Sequence, residues 1–297
     1  MRHRRRTLLA LFCVMTIVAG VSLGQQFQQY RQFRGRPSSG VIPEDRAGVP
    51  TWKVDEAFKK DVFTFVRIEY DSFGGRAGRR GGYGGGGWAR WLTDFPDSDL
   101  NFSLRLSQLT SLKVNPDPIN MRLTDDRLFD YPFIYIIEPG ALSFSEEEGV
   151  ALRRYLFNGG FLMVDDFWGD NELNNYLDQI KRVFPEDRYE PKELPLDHPI
   201  FRCVYPLKEK PQVPSIGAWG GPGGPTYERG WHTGDTQTVH YLGMEDDSGR
   251  LMSIICHNTD LGDGWEREGE NAEYFEEFSK KKSYPMGINI VTYAMTH

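Results

Sequence analysis

The chain has 297 residues, 39% hydrophobic and 13% aromatic, which is enough to fill one large core or two small ones. Its 35 basic residues against 42 acidic ones give a net charge of −7. A chain this acidic is a poor candidate for non-specific nucleic-acid binding, which needs clustered Lys and Arg against phosphate.

The start reads as a targeting segment. Arg2, Arg4, Arg5 and Arg6 precede an apolar run from Leu8 to Val21, and Ser22 and Gly24 are small residues at the spacing of a signal-peptidase site. We expect a cleaved signal peptide over residues 1–24. The alternative is an uncleaved membrane anchor through residues 8–21, a run shorter than the ~20 residues of a usual spanning helix. Arg5-Arg6-Thr7-Leu8-Leu9 also loosely fits a twin-arginine export signal. The expected location is the periplasm or cell envelope. Cleavage after Gly24 leaves 31 basic against 42 acidic residues, a net charge of −11. It also leaves Cys203 and Cys256. An oxidising compartment permits these two to pair, and separate buried positions suit them equally well.

Residues 25–51 are rich in Gln, Arg, Pro and Gly, the composition of a flexible linker. A single α/β domain is expected over residues 52–297. "VFTFVRIEY" (Val62 to Tyr70) has the β-branched and aromatic alternation of a strand. Residues 74–87 follow, with nine glycines in fourteen positions. This stretch reads as a surface loop. It has no Gly-Lys-Ser/Thr ending, so a phosphate-binding reading is weak. "DSDLNFSLRLSQLTSLKV" predicts a helix capped by Asp97 or Ser98, with Phe102, Leu106 and Leu109 on one face.

"FIYIIE" (Phe133 to Glu138) is a continuous apolar strand. Ser145 and Glu148 then form a capping-box pattern, and the helix they open turns Leu152, Tyr155 and Leu156 inward before Gly159-Gly160. "FLMVD" (Phe161 to Asp165) is the next strand. Asp170 is placed to cap a helix carrying Leu173, Tyr176, Leu177, Ile180 and Phe184. Strand, helix, strand, helix, with strands apolar on both faces, predicts a parallel sheet covered on both sides. Residues 185–250 are rich in Pro and Gly and carry little pattern. Two strands are expected near 238–242 and 250–256, an amphipathic helix over 272–282, and a buried closing helix at "MGINIVTYAM".

Together "FTFVRIEYD", "WLTDFPDSDLNFSLRLSQLTSLKV", "LFDYPFIYIIEPG", "FSEEEGVALRRYLFNGGFLMVDD", "LPLDHPIF", "HNTDLGDGWE" and "GINIVTYAM" resemble the bacterial family called domain of unknown function 4159. The resemblance covers most of residues 62–296. It implies a flavodoxin-like three-layer α/β sandwich with a mostly parallel central sheet, similar to class I glutamine amidotransferases and to ThuA-like proteins. Asp197-His198-Pro199-Ile200 also resembles a ThuA-like segment. The amidotransferases place a cysteine on a strained turn after a central strand. If "FLMVD" is that strand, the turn here is Asp165-Asp166-Phe167-Trp168-Gly169, and no thiol is present to attack.

In open α/β sheets ligands bind at the carboxyl ends of the strands. That rule gathers Glu69, Tyr70 and Asp71 after the first strand and Glu138 after the second. Asp165 and Asp166 follow the third, and His257 and Asp260 a late one. Catalytic candidates are Asp165, Asp166, Glu138 and His257. Ligand-binding candidates are Glu69, Asp71, Trp168, Asp260 and Trp265. Carboxylates in this number suit a divalent metal, with Zn²⁺ needing His257 as well. The competing reading makes them turn and cap residues. "HNTDLGDGWE" has neither calcium-loop nor zinc-motif spacing, and no Gly-x-Ser-x-Gly elbow occurs in the domain. The tryptophans near turns suit either sugar stacking or ordinary core packing.

Three functions stay open. The first is a module binding a small molecule, carbohydrate or protein partner at the strand edge. The second is a metal-assisted hydrolase, in which paired carboxylates would act on a glycosidic bond or similar substrate. The third is a structural component of the cell envelope.

Overall fold

The computed structural model describes residues 39–58, 61–72, 89–230 and 232–297. The expected signal peptide, most of the expected linker, the glycine-rich stretch 74–87 and Trp231 lie outside the described residues.

A seven-stranded sheet forms the centre, in the order β3-β1-β4-β6-β9-β8-β7. Its strands are β1 (Val66–Glu69), β3 (Ile119–Arg122), β4 (Phe133–Ile137), β6 (Phe161–Asp165), β7 (Lys192–Glu193), β8 (His240–Glu245) and β9 (Leu251–His257). β3, β1, β4, β6 and β9 run parallel, and β8 and β7 add an antiparallel edge. β2 (Asp71–Ser72) and β5 (Leu142–Ser143) make a separate antiparallel pair.

The period of two explains why β4, β6 and β9 read as unbroken apolar runs. Tyr135, Ile137, Met163, Ile254 and Cys256 enter one apolar cluster, together with residues of α1 (Asp97–Leu109), α5 (Leu261–Glu266) and α7 (Tyr284–Thr296). Ile134, Ile136, Leu162, Val164 and Ile255 enter a second cluster, with residues of α2 (Glu146–Phe157) and α3 (Gly169–Val183). Both faces of the sheet are therefore buried, as the sequence predicts.

Local signals hold in part. The Ser145–Glu148 capping box is complete at the start of α2. The expected caps of the other two helices are not made. Pro96 precedes α1 with no side-chain cap, and Asp97 is already helical. Trp168 precedes α3, where its amide is held by Glu172 Oε2 at 2.9 Å, and Asp170 lies in the first turn instead. Leu109 is 49% exposed rather than facing inward, because α1 ends there.

Packing against the domain begins ahead of Trp52. Ala47 and Val49 are buried against Leu100, and the Gly40 carbonyl accepts from Asn120 Nδ2 at 2.8 Å. Short α4 (Ile216–Trp219) and α6 (Ala272–Tyr274) complete the helices, and a π-helical segment, Phe275–Ser283, runs from α6 into α7. Cys203 is exposed and Cys256 is buried on β9, and no disulfide joins them. Among the described residues no helix is long and apolar enough to cross a membrane.

Candidate functional site

The carboxyl ends of β1, β4, β6 and β9 meet at one edge, where the backbone is strained. Asp94, Glu138, Asp166 and Asn258 have φ of 61°, 46°, 56° and 58°. Non-glycine residues rarely adopt this conformation, and each such residue costs of order 1 kcal/mol or more. Three of the four follow directly on β4, β6 and β9.

Asp165 ends β6 and is fully buried. Its Oδ2 accepts from the Gly262 amide at 3.0 Å and from the Tyr135 hydroxyl at 3.2 Å, while its Oδ1 has no partner. Burial pushes its carboxyl up to about 7, against the pull of those two donors. Asp166 occupies the turn itself. One of its oxygens accepts from Trp168 Nε1 at 3.1 Å, and its amide donates to the Thr259 carbonyl at 3.2 Å. Burial, then the neighbouring charges of Glu138 and Asp94, raise it well above the carboxylate range.

Asp260 caps α5, accepting from the Asp263 amide at 2.6 Å. It too is raised by burial and then by Asp166 and Asp94. Glu138 is half-buried and lies 3.6 Å from Arg90, and burial lifts it to about 7. The Tyr70 hydroxyl ties the turn down by donating to the Ile137 and Glu138 carbonyls, each at 2.7 Å.

Asp94 belongs to this group and was not singled out from the sequence. Arg67, wholly buried on β1, places it. Its guanidinium forks onto Asp99 of α1 and donates to the Trp91 and Thr93 carbonyls at 2.9 and 2.7 Å. That fixes the loop carrying Asp94 over the sheet edge. Asp94 Oδ2 is buried with no hydrogen-bond partner. The carboxylates of Asp94, Asp166 and Asp260 bring oxygens within 4.8 Å of one another. Asp94 forms a second such group with Asp263 and Glu266.

The other candidates separate from this cluster. His257 is buried on the opposite face of the sheet. Its Nε2–H points at the Gly169 carbonyl (3.1 Å), its ring packs on Phe167 and His240, and burial lowers it to about 4, so it is neutral at pH 7. Its electrostatic neighbours are His240, Asp170 and Asp235, not the edge aspartates. Asp71 pairs with Arg122 at 2.9 Å and is exposed, and Glu69 ends β1 in register with that same arginine. Trp265 is fully buried and packs on Phe102 with ring centres 4.4 Å apart. Trp168 and Trp219 are 2% and 5% exposed, so neither offers a face to a sugar. His198 accepts the Ile200 amide in a turn.

Glu228 and His232, in the Pro/Gly-rich stretch, lie close by. His232 Nε2 is 3.2 Å from Glu228 Oε2, and its ring centre is 6.3 Å from that of Trp168. The charge of Glu228 is felt at Asp166 and Glu138.

A family profile described as domain of unknown function (DUF4159) matches residues 65–295. The chain belongs to that family. The matched span runs from the residue before β1 almost to the end of α7, and all seven strands of the central sheet lie within it. No curated protein matches the chain.

Proposed function

We propose that this DUF4159 domain binds a cationic ligand at the carboxyl edge of its sheet. One observation carries the reading. Asp94, Asp165, Asp166 and Asp260 are all buried there, and none makes an ion pair with a described residue. Elsewhere the chain supplies an arginine to each buried acid. Arg67 serves Asp99, Arg90 serves Glu172, Arg122 serves Glu148 and Arg267 serves Asp263. An uncompensated buried charge costs several kcal/mol, so such groups either take up protons or wait for a counter-charge. Strained backbone at Asp94 and Asp166 adds to that cost, and strain of this kind collects at ligand sites.

The test is thermal unfolding of the chelator-stripped chain with divalent metals, spermidine, arginine and guanidinium. A ligand at a hundredfold excess over its Kd adds about 2.7 kcal/mol, roughly 5 °C in Tm for a chain of this size. A rise with at least one cation, lost in Asp166→Asn, supports the proposal. Stabilisation only by neutral or anionic compounds, or by nothing, defeats it.

A second reading, hydrolysis assisted by the bound cation, is favoured by the Glu228–His232 pair beside Trp168, which would supply an acid–base group near the carboxylates. Kinship with the glutamine amidotransferase-like and ThuA-like domains is supported by the left-handed residue that directly follows β6. On that reading Asp166, with φ of 56°, would stand where the amidotransferases carry their thiol. The basic-then-apolar start supports a location outside the cytoplasm.

A further inference from the structure

We infer that the cation is a single hard divalent metal ion, ligated by Asp94, Asp166 and Asp260. This inference rests on the cation-binding reading above and narrows it. The donor set is all carboxylate, with no histidine or cysteine, which selects oxygen-preferring ions over zinc or copper. One oxygen from each of the three carboxylates lies within 4.8 Å of the others, close enough for all three to reach one such ion.

The unpartnered oxygen points to the ligand independently of the acidic count. Asp94 is 9% exposed, its Oδ2 has no donor, and it faces the first turn of α5, which Asp260 caps. A Cβ built on Gly262 of that turn would stand 2.8 Å from it, so the glycine leaves the oxygen room. Asp166 and Asp260 each give one oxygen to a fixed donor, Trp168 Nε1 and the Asp263 amide, which orients the carboxylate and leaves the second oxygen for an ion. This is the kind of outer hydrogen bonding that holds metal ligands in place.

The adjoining group of Asp94, Asp263 and Glu266 already holds a cation of its own. Arg267 lies 3.0 Å from Asp263 and 2.7 Å from Glu266, and Asp263 Oδ2 also accepts from the Ile216 amide and the Tyr274 hydroxyl. Two of the three acids of that group already have a guanidinium as counter-charge, so we expect one ion per chain.

The experiment uses the full-length chain stripped with EDTA and titrated with Tb³⁺, a luminescent stand-in for Ca²⁺ that the Trp168 indole, bonded to Asp166, would sensitise. Titration calorimetry with CaCl₂, MnCl₂ and MgCl₂ runs in parallel. We expect one Tb³⁺ per chain, displaced by at least one of Ca²⁺, Mn²⁺ and Mg²⁺. Asp94→Asn and Asp260→Asn should each weaken binding by a hundredfold or more, while the surface variant Glu147→Gln should change nothing. Asparagine tolerates the left-handed conformation at 94. A melting temperature of stripped Asp94→Asn at or above that of the stripped parent shows that the variant is folded. If spermidine, arginine or guanidinium stabilises the chain and no metal binds, the metal inference falls and the cation reading survives. If nothing binds, both fall. Two ions per chain, or Tb³⁺ binding undiminished in Asp94→Asn, overturns the assignment.

Discussion

Asp165→Asn tests the claim that burial, uncompensated by a cation, governs this edge. With the carboxyl lifted from its ordinary 3.8 to about 7 in the folded state, the unfolded chain loses this proton first as pH rises. Stability from this group is therefore whole below pH 3.8, declines between about 3.8 and 7, and is fully lost above that range. At about 1.4 kcal/mol for each tenfold in proton affinity, the wild-type cost at pH 8 is roughly 4 kcal/mol, and at pH 5 only about 1.5 kcal/mol. Asparagine does not titrate. It keeps an acceptor for Gly262 and Tyr135 but puts an amide NH₂ where Oδ1 finds no partner, a loss of about 1–3 kcal/mol at every pH. The variant should be close to or below wild type at pH 5 and above it at pH 8. The change between the two pH values, about 3 kcal/mol or roughly 5 °C in Tm, does not depend on the amide term. The charge of Asp165 also helps raise Asp166 and Asp260, so its removal eases their ionisation and adds to the gain at pH 8. Thermal unfolding of the chelated proteins measures it. A difference in Tm that stays flat across pH 5 to 8 would refute the argument.

Arg67→Met should lower stability by about 3–5 kcal/mol, because it leaves Asp99 buried and unpaired and releases the loop that carries Asp94. Urea unfolding should show this as a lower midpoint with an unchanged slope. Gly262→Ala drives a methyl to 2.8 Å from Asp94 Oδ2 and 3.0 Å from the Tyr135 hydroxyl. It should cost about 1–3 kcal/mol in the stripped protein and weaken cation-dependent stabilisation further, so that the melting shift with Ca²⁺ shrinks. Asn258→Ala removes bonds to the Gly169 amide and to the Asp235 and Thr238 carbonyls at a left-handed residue. A loss of about 3–5 kcal/mol is expected by the same unfolding assay.

The parallel strands were legible because burial on both faces writes an uninterrupted apolar run, and the helix after β4 because its capping box is local. Gathering strand-end acids located the edge, and Asp165, Asp166, Glu138 and Asp260 do lie there. His257 failed the same rule for a reason the sequence contained. Cys256 faces the cluster that holds Tyr135 and Ile137, so by the period of two His257 must face the other side of the sheet, toward α3. Asp165 follows Val164 of the second cluster and so faces Tyr135 and α5. Asp94 was hidden differently. In "WLTDFPDSD" an acid before a helix reads as a start signal, and only the long-range grip of Arg67 on Trp91 and Thr93 brings this one over the edge. Glu228 and His232 sit in a stretch without periodicity, so no pattern could place them.

The three ligating aspartates differ in how the chain holds them, which argues against a passive role as caps. Asp260 does cap a helix, and an aspartate there would be used for the fold alone. Asp166 and Asp94 are left-handed residues with raised pKa, and glycine would serve either backbone position without strain or buried charge. In Asp94, Oδ2 makes no bond with a described residue to offset that cost. Stability alone would remove such a carboxylate, because proteins sit near their stability threshold and 1–3 kcal/mol is a large share of what they have. Its retention beside two others, each held by one oxygen, is accounted for if the energy is recovered when a cation enters. The apo domain should then sit below its own stability optimum at neutral pH and regain it on binding.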